Sequence, residues 1–283
     1  MSERLSVTKT YKLFIGGKFP RTESGRSTAV QDAQRGLVAH VCHASRKDLR
    51  AAVEAASKGQ AAWGGGTAYL RGQVLYRLGE MLESRTSEFV EALGGEKDAP
   101  GEVRATIDRA VHYAGWPDKF SQVLGGANPV AGPYHNFSIP GAMGVVGVVS
   151  PDEPALLGLM SLVLPALAAG NSVIALASET NPIPAMLLAE AVATSDVPAG
   201  TVNILTGFRD ELVPHFASHR EIIGIHGAGL TDDQRGTLRA GAAENLKRVI
   251  VRDTTDWHDE AAQGAGWIEP FTETKTIWHP SAT

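Results

Sequence analysis

The 283-residue sequence predicts an α/β fold, a doubly wound parallel sheet preceded by a layer of helices. From residue 145 onward, strand-like and helix-like segments alternate, the pattern of a parallel sheet built with crossover helices. The run Val145-Val146-Gly147-Val148-Val149 is apolar and mostly β-branched with no polar alternation, which marks a strand covered on both faces. Before residue 125 the apolar residues recur at helical spacing instead.

Taken in order, residues 11–20 alternate apolar and polar around Gly16-Gly17, the signature of a hairpin with a primed turn. Ser45 stands three residues before Asp48, close to a capping box. Leu49, Val53, Ala56 and residues 61–63 then supply one apolar helical face that ends near Gly64-Gly65-Gly66. Leu70, Val74, Leu75, Leu78, Met81, Leu82, Phe89, Val90 and Leu93 predict one long or kinked helix over 68–93. After Gly94-Gly95 and Pro100-Gly101, a further helix resumes over 102–120, and the surface is the default place for its Glu102 and Asp108. A strand over 134–139, a turn at Pro140-Gly141 and the strand 145–149 follow. Helices over 156–168, 183–194, 211–218 and 231–244 then alternate with strands over 173–177, 202–205, 222–226 and 249–251. Gly207, Gly227 and Gly229 follow strand ends, where open α/β sheets bind ligands. Residues 254–266 read as the one hinge.

Composition excludes several classes. Hydrophobic residues make up 43% and charged residues 20%, ordinary for a globular protein. The formal charge is -5, and no basic run exceeds Arg46-Lys47, so nucleic acid is not an expected partner. The first residues carry no secretory h-region, which gives a cytoplasmic expectation. The most apolar region, 156–177, is split by Pro165, Gly170 and Asn171 into a buried helix, a turn and a buried strand, not a membrane span. Cys42 is the single cysteine, so an internal disulfide and a multi-cysteine zinc site are excluded. Its setting, His40-Val41-Cys42-His43, reads as a small residue in a short edge strand in preference to a flanked thiolate or a partial metal site. No Gly-x-Ser-x-Gly elbow occurs, and the nine histidines form no His-Glu-x-x-His spacing.

Several segments resemble the aldehyde dehydrogenase superfamily in that family's order. They are Tyr11-Lys12-Leu13-Phe14-Ile15-Gly16-Gly17-Lys18, Tyr113-Ala114-Gly115-Trp116, the 145–151 strand end, Leu164-Pro165-Ala166-Leu167-Ala168-Ala169-Gly170-Asn171-Ser172-Val173, residues 196–207, and Phe271-Thr272-Glu273-Thr274-Lys275-Thr276-Ile277-Trp278. The resemblance implies a Rossmann-like nucleotide-binding domain and a small oligomerisation β-sheet. Residues 1–126 would hold the hairpin and helices of the nucleotide-binding-like domain, 127–147 with 267–283 the oligomerisation sheet, and 148–253 the Rossmann-like core. Only 14 residues, 253–266, separate Arg252 from Trp267, where the family places the lobe that carries its cysteine nucleophile.

The resemblance also implies which chemistry is lost. An aldehyde dehydrogenase needs a thiolate, an oxyanion donor, a base and a nicotinamide. The family's oxyanion-supporting asparagine corresponds to Glu153, and its general-base glutamate to Arg252, which cannot accept a proton at neutral pH. Asp253 faces the other side of the strand. No catalytic residue is assigned. In the cofactor groove Glu179, Gly207 and Gly227 remain as vestigial cofactor-binding positions, while the ribose-clamp lysine is Leu176 and the pyrophosphate-turn serine is Ala228. Asp232 and Asp233 would stabilise their own helix end. Arg209 replaces a glycine and either fills the adenine slot or, the default for an arginine, lies in solvent. No cofactor is expected, with NAD or NADP as the weak alternative, and no metal.

The family's terminal strand extends a neighbour's sheet, so the strand from Thr272 to Trp278, expected beside the strands 134–149, implies a full-length aldehyde dehydrogenase as partner, or a homodimer. A non-catalytic assembly or regulatory subunit follows. The alternatives are an oxidoreductase component completed by a partner and a nucleotide-binding sensor.

Overall fold

A computed structural model describes residues 7–32, 36–94, 98–253 and 256–281. Its centre is a five-stranded, wholly parallel sheet of β6 (Val145–Val149), β7 (Ser172–Leu176), β8 (Val202–Leu205), β9 (Ile222–Ala228) and β10 (Arg248–Arg252), in the spatial order β10-β9-β6-β7-β8. The chain winds outward from β6 to β8 and then crosses back to β9, so the switch point lies between β6 and β9. Side chains of β6 alternate between two cores, Val146 and Val148 on one face and Val145 and Val149 on the other.

The first face carries α6 (Leu157–Ala168) and α7 (Ile183–Val192), both buried throughout apart from Glu190, which explains their all-round apolar sequences. A second layer of α2 (Ala68–Glu83), α3 (Thr86–Leu93) and α4 (Ala99–Ala114), the last followed by the short α5 (Phe120–Leu124), covers them through Leu75, Leu78, Phe89 and Tyr113. The predicted helix over 68–93 is therefore two. Ser84 Oγ donates to Met81 O and Thr86 Oγ1 to Glu83 O, and this back-bonding by hydroxyls marks the break. The other face carries α1 (Arg46–Gly65), α8 (Arg209–Ser218) and α9 (Asp232–Asn245). The capping box at Ser45 and Asp48 forms as expected, and Asp48 also accepts from Thr22 Oγ1 at 2.7 Å.

Gly16 and Gly17 both have positive φ, so the primed turn forms between Ile15 and Lys18. The hairpin is shorter than expected, because β1 (Lys9–Tyr11) pairs in parallel with β3 (Gly36–Cys42), whose other neighbour is β2 (Ser27–Asp32). Cys42 thus ends a central strand, not an edge strand, and is buried.

A third sheet has the order β11-β5-β4, with β4 (Gly126–Ala127), β5 (Tyr134–Ala142) and β11 (Thr272–Pro280). Nine residue pairs, from Thr272 with Ala142 to Pro280 with Tyr134, join β11 to β5. The turn expected at Pro140-Gly141 is absent, since β5 runs through both residues and turns at Gly144, where φ is 137°. Pairing with β4 has already stopped at Ser138, so Pro140 has a neighbour on one side only.

Residues 254 and 255 of the stretch read as a hinge lie outside the described residues, and the described remainder is anchored by buried side chains. Trp257, Ala262, Trp267 and Ile268 are buried. Arg109, itself buried, donates to Trp257 O (2.7 Å), Ala262 O (2.6 Å) and Ser161 Oγ (2.6 Å). Among the described residues no helix is long and apolar enough to cross a membrane.

Asn171 fastens the small sheet to the core. Its Oδ1 accepts from the backbone of Met143 (2.8 Å) and Gly144 (3.0 Å), and its Nδ2 donates to Ala166 O (3.0 Å) and Phe271 O (2.8 Å). Asn171→Ala should destabilise the fold by about 3 kcal/mol, because it leaves buried donors and acceptors unpaired. Urea unfolding measures that loss, and amide exchange across 272–280 should accelerate; unchanged exchange there would contradict the assignment.

Candidate functional site

The loops after β6, β7 and β8 meet at the carboxyl edge of the sheet, beside the switch point where open α/β folds take ligands. Their meeting point is Asp152. Arg209, at the start of α8, sends its two Nη atoms to the Asp152 carboxylate at 2.7 and 2.8 Å and also bonds Ser150 O at 2.9 Å. The Asp152 carboxylate further accepts from the backbone of Glu179 at 2.8 Å and Thr180 at 3.4 Å. Arg209 is 5% exposed, so the expectation of a solvated loop arginine is overturned. A planar fork that meets a carboxylate in bidentate fashion offsets much of the cost of burying the guanidinium.

The three positions expected to line a cofactor groove can now be placed. Glu179 Oε1 accepts the backbone N–H of Arg209, tying β7's loop to the first turn of α8. Gly207 allows close approach of the loop after β3: a Cβ there would sit 3.4 Å from Ala44 N and 3.2 Å from Leu212 Cδ1. Gly227 lies inside β9 beneath Leu230. Only Glu179 joins the Asp152 and Arg209 cluster.

Across the switch point, Gly229 has φ 64° and a Cβ there would be 3.2 Å from Pro151 Cα, so the loops after β6 and β9 pack backbone to backbone. The N-terminus of α9 is closed by its own capping box. Thr231 Oγ1 accepts from Gln234 N and Gln234 Oε1 from Thr231 N. Gln234 Nε2 also donates to Asp210 Oδ1 at 2.7 Å, a bond that spans from α9 to α8.

The residues that the resemblance sets against catalytic groups can be placed in the same way. Glu153 is exposed. Arg252 Nε donates to His226 Nε2 at 3.0 Å, and its guanidinium lies 4.1 Å from the Trp267 ring. His226 Nδ1 faces Leu162 O at 2.9 Å, so Nδ1 carries the proton and Nε2 accepts. Full burial, reinforced by Arg252, pushes His226 down to about 3 and keeps it neutral. Asp253 pairs with Arg235 on the surface. Cys42 is enclosed in the apolar core of the α1 face. Among the described residues no three His, Cys, Asp or Glu side chains converge as metal ligands.

Sequence reading missed two carboxylates. Glu102, expected on the surface, is 4% exposed, and its Oε1 accepts from Leu156 N (2.8 Å) and Leu157 N (3.0 Å), capping α6, which has no N-cap side chain of its own. Asp152 carried no signal beyond its place after β6.

Burial raises the Asp152 carboxyl, but the Arg209 guanidinium and the loop N–H groups outweigh it and hold the group below the usual carboxylate range. A depressed folded value stabilises the protein above the ordinary carboxylate range and loses that contribution as pH falls through it. Asp152→Asn should therefore cost about 1–2 kcal/mol at neutral pH by weakening the hold on Arg209, less than for a fully buried pair because the Asp152 side chain is 35% exposed. Melting curves of the two proteins should converge as pH is lowered below the ordinary carboxylate range and through the depressed Asp152 value; a gap that stays constant on acidification would count against the pair.

Residues 20–252 match the family model described as the aldehyde dehydrogenase family. The chain is similar to mitochondrial benzaldehyde dehydrogenase of Antirrhinum majus, 29% identical over 249 residues that cover 85% of this chain and 46% of that protein. It is also similar to 2-hydroxymuconic semialdehyde dehydrogenase of Pseudomonas sp. (strain CF600), 32% identical over 244 residues, 83% of this chain and 50% of that protein. Among solved structures, PnpE from Pseudomonas sp. WBC-3 superimposes with a TM-score of 0.81 at 27% identity, covering 86% of this chain and 50% of that one. The NAD+ complex of an aldehyde dehydrogenase from Bacillus cereus does so with a TM-score of 0.80 at 27% identity and the same coverage. The chain spans about half the length of the curated relatives it matches. With most of its length matched and its parallel core shared, the chain belongs to the aldehyde dehydrogenase family.

Proposed function

We propose that this protein is a non-catalytic member of the family that assembles with a full-length aldehyde dehydrogenase through its terminal ribbon. The observation that carries this reading is β11. It is the outer strand of its sheet, nine residues long and exposed from Glu273 onward, with Ile277 42% and Trp278 59% exposed. A long edge strand bearing apolar side chains is an aggregation hazard unless a partner covers it, and backbone pairing along such an edge is a general mode of association. Tyr134 and Ile139 on β5 are also exposed, and the Tyr134 ring meets Trp278 edge to face at 5.8 Å, so the apolar surface spans both strands.

The non-catalytic part rests on the fates of Glu153, Arg252 and Cys42. An exposed carboxylate stands where the resemblance sets the oxyanion donor, a half-buried arginine where it sets the base, and the one thiol sits in a hydrophobic core. The same edge supports a second reading, a twofold dimer in which two β11 strands pair.

Co-expression with a full-length aldehyde dehydrogenase of the same organism, followed by size-exclusion chromatography with light scattering, separates these. A mixed complex supports assembly, and a dimer formed only by this chain supports the second reading. Replacing Ile277 and Trp278 by lysine should weaken either complex by about tenfold or more, since charge on an edge strand opposes pairing. A monomer that captures no dehydrogenase would overturn both, and aldehyde-dependent reduction of NAD by the purified chain would overturn the non-catalytic reading.

A further inference from the structure

The carboxyl edge of the sheet holds a side chain of the protein where a ligand of this fold would lie. Arg209 extends between the ends of β6 and β7 and bonds Ser150 O and both oxygens of Asp152. Its backbone N–H takes Glu179 Oε1, the one carboxylate there suited to receive ribose hydroxyls. On the other side, the N–H groups that open α9 would meet a pyrophosphate, but Thr231 and Gln234 cap each other and Asp232 and Asp233 add negative charge to the first turn. Above the two, the bond from Gln234 to Asp210 links the first turns of α8 and α9 across the crevice. Each contact alone is an ordinary surface or loop interaction. Together they satisfy the donors and acceptors that a dinucleotide would need, using groups already covalently present.

We infer that Arg209 is a resident plug of the dinucleotide crevice, held by Asp152 and Glu179, and that the chain excludes adenine dinucleotides while it is in place. The Arg209 Nε atom is buried with no hydrogen-bond partner among the described residues, so the plug is held by its Nη fork and not by a complete network. A dinucleotide must displace that fork and leave Asp152 to find new donors, which lowers its apparent affinity in proportion to the small fraction of molecules with the crevice open. This inference concerns the crevice alone and stands whether or not the ribbon finds a partner.

Titration calorimetry with NAD and with NADP tests it on the full chain. The wild type should give no saturable heat at millimolar nucleotide. Arg209→Gly, and separately Arg209→Gly combined with Asp152→Ser so that no carboxylate is stranded, should gain about tenfold or more in apparent affinity and reach saturation. Arg209→Met keeps bulk without the fork and should gain less than the glycine variants. Saturable sub-millimolar binding by the wild type would overturn the inference. So would glycine variants that are folded by circular dichroism and still silent toward both nucleotides, or nucleotide binding by the wild type that Arg209→Met abolishes, which would make Arg209 a ligand contact.

Discussion

The arrangement of this molecule turns on one buried amide. Asn171 is wholly enclosed and uses both oxygen lone pairs and both N–H donors. Those four bonds join the corner between β5 and β6, the last turn of α6, and the residue before β11. No apolar side chain of similar size could hold three such segments, because each would then bury an unpaired backbone group. Arg248 adds a second fastening at the same root, bonding Pro270 O, Thr272 O and the Glu273 carboxylate. The ribbon is therefore a fixed extension of the core and not a loose tail, which matters for any partner that must pair with it in register.

The segment that joins β10 to the ribbon answers a different problem. With β10 ended at Arg252, the sheet face beside α4 and α6 needs a cover, and residues 256–271 supply one from Trp257, Ala262, Trp267, Ile268 and Phe271. Arg109 clamps this cover by its carbonyls, and Arg252 lies under it against Trp267. Both arginines are held by neutral groups: carbonyls, a hydroxyl, a neutral imidazole and an indole face. Buried and half-buried guanidinium groups tolerate such company because their charge is delocalised and weakly hydrated. Arg252 is thus part of a structural cluster.

How much of this could be read beforehand depended on range. The parallel core was legible because each strand and helix announces itself within a few residues, as in Val145 to Val149 or the capping box at Ser45. The failures share a cause. Glu102, Arg209 and Asn171 are polar residues whose partners lie 54, 57 and 100 positions away, and no local pattern marks a polar side chain as buried. Base rates put glutamate and arginine outside, and they are wrong where a second element supplies the missing bonds. The turn misplaced at Pro140-Gly141 failed for a similar reason, since a proline breaks a sheet only where a neighbour needs its N–H. The hinge between residues 254 and 266 looked loose because its anchor, Arg109, belongs to another helix.

A single electrostatic rule unites the crevice. The N-termini of α6, α8 and α9 all follow strands of the parallel sheet, and each carries the partial positive charge that makes such folds bind phosphates. Here each has found an anion or a cap within the chain: Glu102 for α6, Glu179 with Asp210 and Glu211 for α8, and Thr231, Gln234 and the Asp232-Asp233 pair for α9. A helix end satisfied in this way contributes to stability, whereas an open one is kept for a ligand at some cost in stability. Three satisfied ends at one edge describe a scaffold that has turned its ligand-binding field inward. The same backbone therefore retains the parallel core of the aldehyde dehydrogenase family while the loops at its carboxyl edge are held together by the chain's own groups.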